Sequence, residues 1–196
     1  MKKGEKRKQE LLKIAYEMFL TKGYENTSVD EIISEAGIAK GTYYYYFDSK
    51  EHMLEEVIGM MIDREREAAG QVLLADIPIP QKIVGIISAF RPTGEEHSIE
   101  NALMQPENIL MHKKIKGQLT EKVVPLLSTV VEDGVRNGIF SCDNIPERVR
   151  MLLVMSNDTF DEGHFTEADI TVFIDMTEKL LGAAPGTMGF IRGLIG

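Results

Sequence analysis

Apolar positions recur along this chain with the period of an α-helix almost from its beginning. Leu11, Ile14, Ala15, Met18 and Phe19 fall at i, i+3, i+4, i+7 and i+8, the stripe of one buried helix face, and Gly23 follows as a C-cap. Val29, Ile32, Ile33 and Ala36 repeat that spacing over a shorter stretch, opened by Ser28 and Glu31 in the Ser-x-x-Glu arrangement of a capping box. Gly37 then permits a tight exit, Ile38 is placed to pack in the angle, and a second short helix is predicted to start near Lys40 to Thr42. Two short helices broken at a glycine are the pattern of a helix-turn-helix.

Ser49 is the expected N-cap of a longer helix, whose stripe of Met53, Leu54, Val57, Ile58, Met61 and Ile62 persists towards Gly70. Asp76 to Pro80 reads as a loop, and Ile83 to Phe90 as a short apolar helix stopped by Arg91-Pro92-Thr93-Gly94. Helical stretches follow at about Ser98 to Met104, Pro106 to Asn137, Pro146 to Glu162 and Glu167 to Leu181, with Pro125 expected to break or kink the longest. Gly182 to Gly196 is glycine-rich and predicts only a final short helix. No alternating strand pattern and no repeat interrupts this reading, so the fold class is all-α.

Composition narrows the picture. The 196 residues are 43% apolar without a long apolar run, which predicts a globular protein with no membrane span, and the basic start lacks a signal-type apolar core. Cys142 is the sole cysteine, which excludes an intrachain disulfide framework and fits a reducing cytoplasm. Residues 1–50 hold nine Lys and Arg against eight Asp and Glu, whereas residues 51–196 hold thirteen against twenty-three. A polyanion can therefore be met only at the N-terminal end. Met1 to Lys8 reads there as a solvated basic arm, either frayed or touching nucleic acid.

The run Lys40-Gly41-Thr42-Tyr43-Tyr44-Tyr45-Tyr46-Phe47 carries the most specific chemistry. A helix of about two turns places successive tyrosines on different faces, so some turn inward and others outward. An outward tyrosine beside Lys40 and Thr42 offers a hydroxyl to phosphate and a flat ring to base edges or thymine methyls. Phe47 is expected in the core.

From about Lys6 to Val57 the chain resembles the DNA-binding domain of the tetracycline-repressor (TetR) family of bacterial transcription regulators. The family pattern is met by Thr27, Val29, Ile32, Ile33, Ala36, Gly37, Ile38, Lys40, Gly41, Thr42, Tyr44, Phe47, Ser49, Lys50 and Leu54. Tyr43 departs from it, standing where the family more often has a buried aliphatic, and is expected inward; Tyr46 stands where many members carry His. The resemblance implies a three-helix DNA-binding head over residues 1–48 and a larger helical ligand-binding and dimerisation domain over residues 49–196. It also implies DNA contacts from Thr27, Ser28, Lys40, Gly41, Thr42, Tyr44, Tyr45, Tyr46 and Lys50.

The apolar positions of the last two long helices exceed what one thin layer can bury. A two-fold four-helix interface is therefore expected, with Leu153, Phe160, Phe173, Ile174 and Leu181 in it, although an intrachain core claims part of the stripe. A ligand site is expected among Met60, Met61, Met104 and Met111, whose side chains suit adaptable apolar binding, with Asn108, His112, Asn157 and Phe160 beside them. The four histidines, His52, His97, His112 and His164, show no metal-ligand spacing with one another or with Cys142, so neither metal nor cofactor is expected.

Phosphate loops, a serine nucleophile elbow and paired cysteines are absent, which disfavours an enzyme. The expected function is that of a homodimeric repressor released from a near-palindromic double-stranded DNA operator by a small apolar or amphipathic effector. The alternative is a ligand-independent architectural DNA binder or protein-interaction adaptor on the same fold.

Overall fold

The computed structural model describes residues 3–160 and 164–195, with Lys3 described by its backbone alone. Its helices are α1 (Lys3–Lys22), α2 (Val29–Glu35), α3 (Lys40–Tyr46), α4 (Lys50–Leu74), α5 (Ile79–Ala89), α6 (His97–Leu103), α7 (Ile109–Arg136), α8 (Ile145–Phe160), α9 (Glu167–Leu181) and α10 (Arg192–Ile195). Short 3-10 turns span Gly94–Glu96, Pro106–Asn108 and Gly189–Ile191. Among the described residues there is no strand, and no helix is long and apolar enough to cross a membrane.

The chain packs into two compact units, one of residues 1–64 and 92–117, the other of residues 65–91 and 118–196. This division follows packing, whereas the boundary expected at 48/49 follows function, and α4 and α7 each run from one unit into the other.

In the first unit α1 packs against α2 and α6, and α2 against α3. Its buried side chains include Leu11, Leu12, Ala15 and Phe19 of α1, Ile32 of α2, Tyr43 of α3, Phe47, and Met53, Leu54 and Val57 of α4, so the predicted stripes are the inward faces. The expected basic arm is not an arm from Lys3 onward, because those residues already form the first turns of α1. Arg7 is held to Glu10 at 3.0 Å and donates to the Ala36 carbonyl at the end of α2, while Lys8 pairs with Glu56 at 2.8 Å. Met1 and Lys2 lie outside the described residues.

The second unit is centred on Ile79, Ile83 and Ile86 of α5, Val123, Val124, Leu127, Val130 and Val131 of α7, Val149 of α8 and Leu181 of α9. The loop before α5 is shorter than expected. Pro78 is the N-cap and Pro80 sits in the first turn, where a missing N–H leaves no intrahelical bond unmade. Pro125 does not break α7 either: the proline is exposed, and its buried neighbours Val123, Val124 and Leu127 anchor the helix on both sides of the lost hydrogen bond.

The tail is part of this core. Met188, Ile191 and Leu194 are buried, and the Met188 amide donates to the carboxylate of Glu178 at 2.9 Å. Gly182 ends α9 at φ 62°, and a Cβ there would lie 2.1 Å from the Ser141 carbonyl oxygen. Of the stretch expected from Pro146 to Glu162, the residues after Phe160 fall outside the described residues.

Candidate functional site

The local chemistry of residues 27–50 builds a rigid platform for two exposed aromatic rings. Ser28 Oγ accepts the Glu31 amide at 3.2 Å while Glu31 Oε2 accepts the Ser28 amide at 2.8 Å, which completes the capping box at the start of α2. The Ser28 amide bond and the Lys22 ammonium at 3.0 Å hold the Glu31 carboxyl down at about 2. At the other end Gly37 turns at φ 60°, and its amide and that of Ile38 donate to the Ser34 and Ile33 carbonyls. The chain then enters α3 at Ala39, which supplies no capping side chain.

In α3, Tyr43 is fully buried and donates to the Ser49 carbonyl at 3.3 Å; burial pushes its hydroxyl up to about 12. Phe47 is buried beside it, 5.6 Å between ring centroids. These two anchors turn Tyr44 and Tyr45 outward, 46% and 81% exposed. Tyr45 meets the half-buried Tyr46 edge to face at 4.9 Å, and the Tyr46 hydroxyl lies against Gly4 at the start of α1.

Lys40 and Gly41 are exposed at the first turn, Thr42 is half-buried, and Lys40 Nζ pairs with Asp30 at 3.0 Å, which raises its pKa. Lys50 Nζ sits 4.1 Å from the centroid of the Tyr24 ring and 3.4 Å from the Glu25 carbonyl. Thr27 is a correction to the expected contact set. It is 1% exposed, and its hydroxyl donates to the Gly23 carbonyl at 2.9 Å, closing the turn between α1 and α2 rather than facing outward.

The expected ligand residues are not gathered within one compact unit. Met60, Met61, Met104, Asn108, Met111 and His112 belong to the first, Asn157 and Phe160 to the second. Met104 is exposed and Met61 buried, while Asn108 is buried with its Nδ2 donating to the Ala102 carbonyl at 2.8 Å. Among the described residues no group of His, Cys, Asp and Glu is placed to hold a metal ion.

Of the expected interface residues, Leu181 is a correction: it is 2% exposed in the core of its own unit. Leu153, Phe173 and Ile174 are half-buried against that core, and the Phe160 ring meets those of Phe165 and Phe173 edge to face at 5.2 Å. The exposed apolar residues of α8 and α9 are instead Met151, Val154, Val172 and Met176. Their i, i+3 and i, i+4 spacings were visible in the chain, but one turn-phase away from the stripe that faces the core.

A family model described as bacterial regulatory proteins of the tetR family matches residues 11–57, the segment from the buried face of α1 through the first turns of α4. The HTH-type transcriptional repressor KstR2 of Mycolicibacterium smegmatis is 33% identical over 101 residues, covering 52% of this chain and 49% of that protein. A protein of Bacillus subtilis named as a fatty acid metabolism regulator is 25% identical over 146 residues, covering 70% of this chain and 73% of its own. The structure of QsdR, a TetR-family transcriptional repressor of R. erythropolis, superposes with a TM-score of 0.60 at 14% identity, covering 93% of this chain and 97% of that one. The α2–turn–α3 geometry, the residues that build it and these likenesses agree: residues 11–57 of this chain are a helix-turn-helix domain of the tetR family of bacterial regulatory proteins.

Proposed function

We propose that this protein is a homodimeric repressor that reads a near-palindromic operator through α3 and leaves it when a small apolar or amphipathic molecule binds. The observation that carries the reading is the pair of exposed rings, Tyr44 and Tyr45, on a helix whose opposite face is locked by Tyr43 and Phe47. A rigid element with outward aromatics and an exposed Lys40 suits the major groove, where phosphate contacts position and base contacts specify. The two α3 helices of a dimer must reach half-sites about 34–36 Å apart. A small swing of α4 breaks that match, so effector and operator oppose each other reciprocally.

Similarity to a regulator named for fatty acid metabolism is in keeping with an apolar effector, as are the methionines Met60, Met61 and Met111. The reading assigns no catalysis and places the protein in the cytoplasm with its operator.

Operator fragments selected from genomic DNA, titrated by fluorescence anisotropy over a salt series, test the proposal. Tyr44→Ala is expected to weaken specific binding by roughly 1–3 kcal/mol and change the sequence preference. Lys40→Ala is expected to weaken all sequences alike and flatten the salt slope by about one unit per subunit. Lys40 is the better probe of phosphate contact than Lys50, whose removal also strips the Tyr24 ring of its neighbour. Unchanged affinity in both variants defeats the assignment of α3. For the effector, a compound that raises the melting temperature must release operator at the same concentration.

A further inference from the structure

Three capping boxes occur among the described residues, and one of them is unlike the others. Glu31 and Asp169 cap α2 and α9 from exposed positions, as capping carboxylates ordinarily do. Glu96, which caps the 3-10 turn Gly94–Glu96 with Thr93, is 1% exposed. Capping occupies only one of its oxygens: Oε2 accepts the Thr93 amide at 2.8 Å and the Thr93 hydroxyl at 2.9 Å. Oε1 is turned the other way, accepting the Tyr16 hydroxyl of α1 at 2.8 Å and Nη2 of Arg64 of α4 at 2.5 Å. Arg64 closes the triangle, its Nη1 donating to the Tyr16 oxygen at 3.1 Å.

Burying a carboxylate is costly unless every lone pair is engaged, so the cap alone does not account for this placement. A fully satisfied buried network instead specifies one arrangement of the elements that supply it. Those elements are α1, α4 and the turn before α6. A second bond of the same kind lies one step along, where Ser98 Oγ donates to the Phe19 carbonyl of α1 at 2.7 Å. Burial pushes the Glu96 carboxyl up, but the Thr93 amide, Arg64 and Tyr16 outweigh it and hold it at about 2, so the group stays charged.

The connectivity gives this triangle a consequence. Residues 92–117 leave the second unit, pack in the first and return to the second. We infer that Glu96 is a positioning residue of the regulator: through Tyr16 and Arg64 it locks α1 and α4, and with them α2 and α3, onto the 92–117 excursion. A change in the excursion then reaches the recognition helix as a shift of the whole head. The inference rests on the repressor reading above.

The test uses the full-length chain with Cys142→Ser and spin labels at Ser34→Cys of α2 and Glu107→Cys of the excursion, both exposed. Labelled chains are diluted with unlabelled ones, so that pulsed dipolar spectroscopy reads the distance within one chain. A narrow distance distribution is expected without further change. Glu96→Gln cannot serve the Thr93 amide and the Tyr16–Arg64 pair together, so the distribution broadens. Operator affinity then falls about tenfold, the size expected for lost hydrogen bonds to a charged group.

Tyr16→Phe, which leaves the cap and the Arg64 pair intact, shows the same changes in smaller measure and carries the test if Glu96→Gln does not fold. Asp169→Ala, a cap lost elsewhere, leaves width and affinity unchanged. A folded Glu96→Gln or Tyr16→Phe protein with an unbroadened distribution overturns the proposal, whatever its operator affinity. If the unsubstituted protein selects no operator, the repressor reading fails while the distance distribution still decides the lock.

Discussion

A buried amide such as Asn108 must find its partners inside the fold. Its Nδ2 donates to the Ala102 carbonyl at 2.8 Å, near the end of α6 where helical carbonyls run out of intrahelical partners. Asn108→Leu is therefore expected to leave that carbonyl with the Gln105 amide at 3.3 Å as its remaining partner, and to cost roughly 0.5–1.5 kcal/mol for the lost bond. Urea unfolding measures it, and a variant as stable as the parent would mean that the amide is dispensable. Thr27 has a similar role, its hydroxyl held by the Gly23 carbonyl. Neither role was legible in the chain, because the partners are main-chain carbonyls set by a turn, and a sequence names side chains only. The inward Tyr43 and outward Tyr44 were legible, since adjacent helical positions lie about 100° apart and Phe47, one turn beyond Tyr43, shares its face.

Among the elements, those with their own start and stop signals came through best. Ser28 with Glu31 and Gly37 bracket α2 closely, and Ser49 stands at the head of α4, its Oγ accepting the His52 amide at 3.1 Å. Pro125 does not break α7, because the penalty of one lost bond is local, while the burial of Val123, Val124 and Leu127 that outweighs it is tertiary. In the tail only the final short helix, α10, was legible; its seat on the core was not, because the contacts of three buried side chains and the amide bond to Glu178 are tertiary.

At the end of α9 the constraint is strict. Gly182 combines φ 62° with the Ser141 carbonyl oxygen where a Cβ would stand, and the Ser141 amide donates to the Leu181 carbonyl at 2.9 Å. Gly182→Ala is expected to destabilise by at least about 1–2 kcal/mol from the left-handed backbone alone. Forcing the Ser141 segment away adds to this. An unchanged unfolding midpoint would show that α9 can end otherwise.

For the molecule as a whole, α8 and α9 present an exposed apolar surface. Met151 and Val154 on one helix and Val172 and Met176 on the other are exposed apolar residues on neighbouring elements of one unit, a surface that a partner subunit would bury. Periodicity alone could not separate these four from the core-facing positions, because both helices carry apolar side chains on two faces and only packing decides which face turns inward. Val172 separates the interface from the core cleanly. Its side chain is exposed in the protomer, so Val172→Asp should leave the helical content and the folding of each chain nearly unchanged. In a two-fold dimer each protomer would contribute one such carboxylate to the buried interface, at a cost of several kcal/mol per unpaired ion. Sedimentation equilibrium is then expected to show a dimer for the parent and a monomer for Val172→Asp at micromolar concentration, with operator affinity falling as the second half-site is lost. Leu181→Asp, placed in the core, should instead unfold the second unit. A Val172→Asp protein that remains dimeric and binds operator as the parent does would place the interface elsewhere, and the two-fold arrangement of α8 and α9 would have to be abandoned.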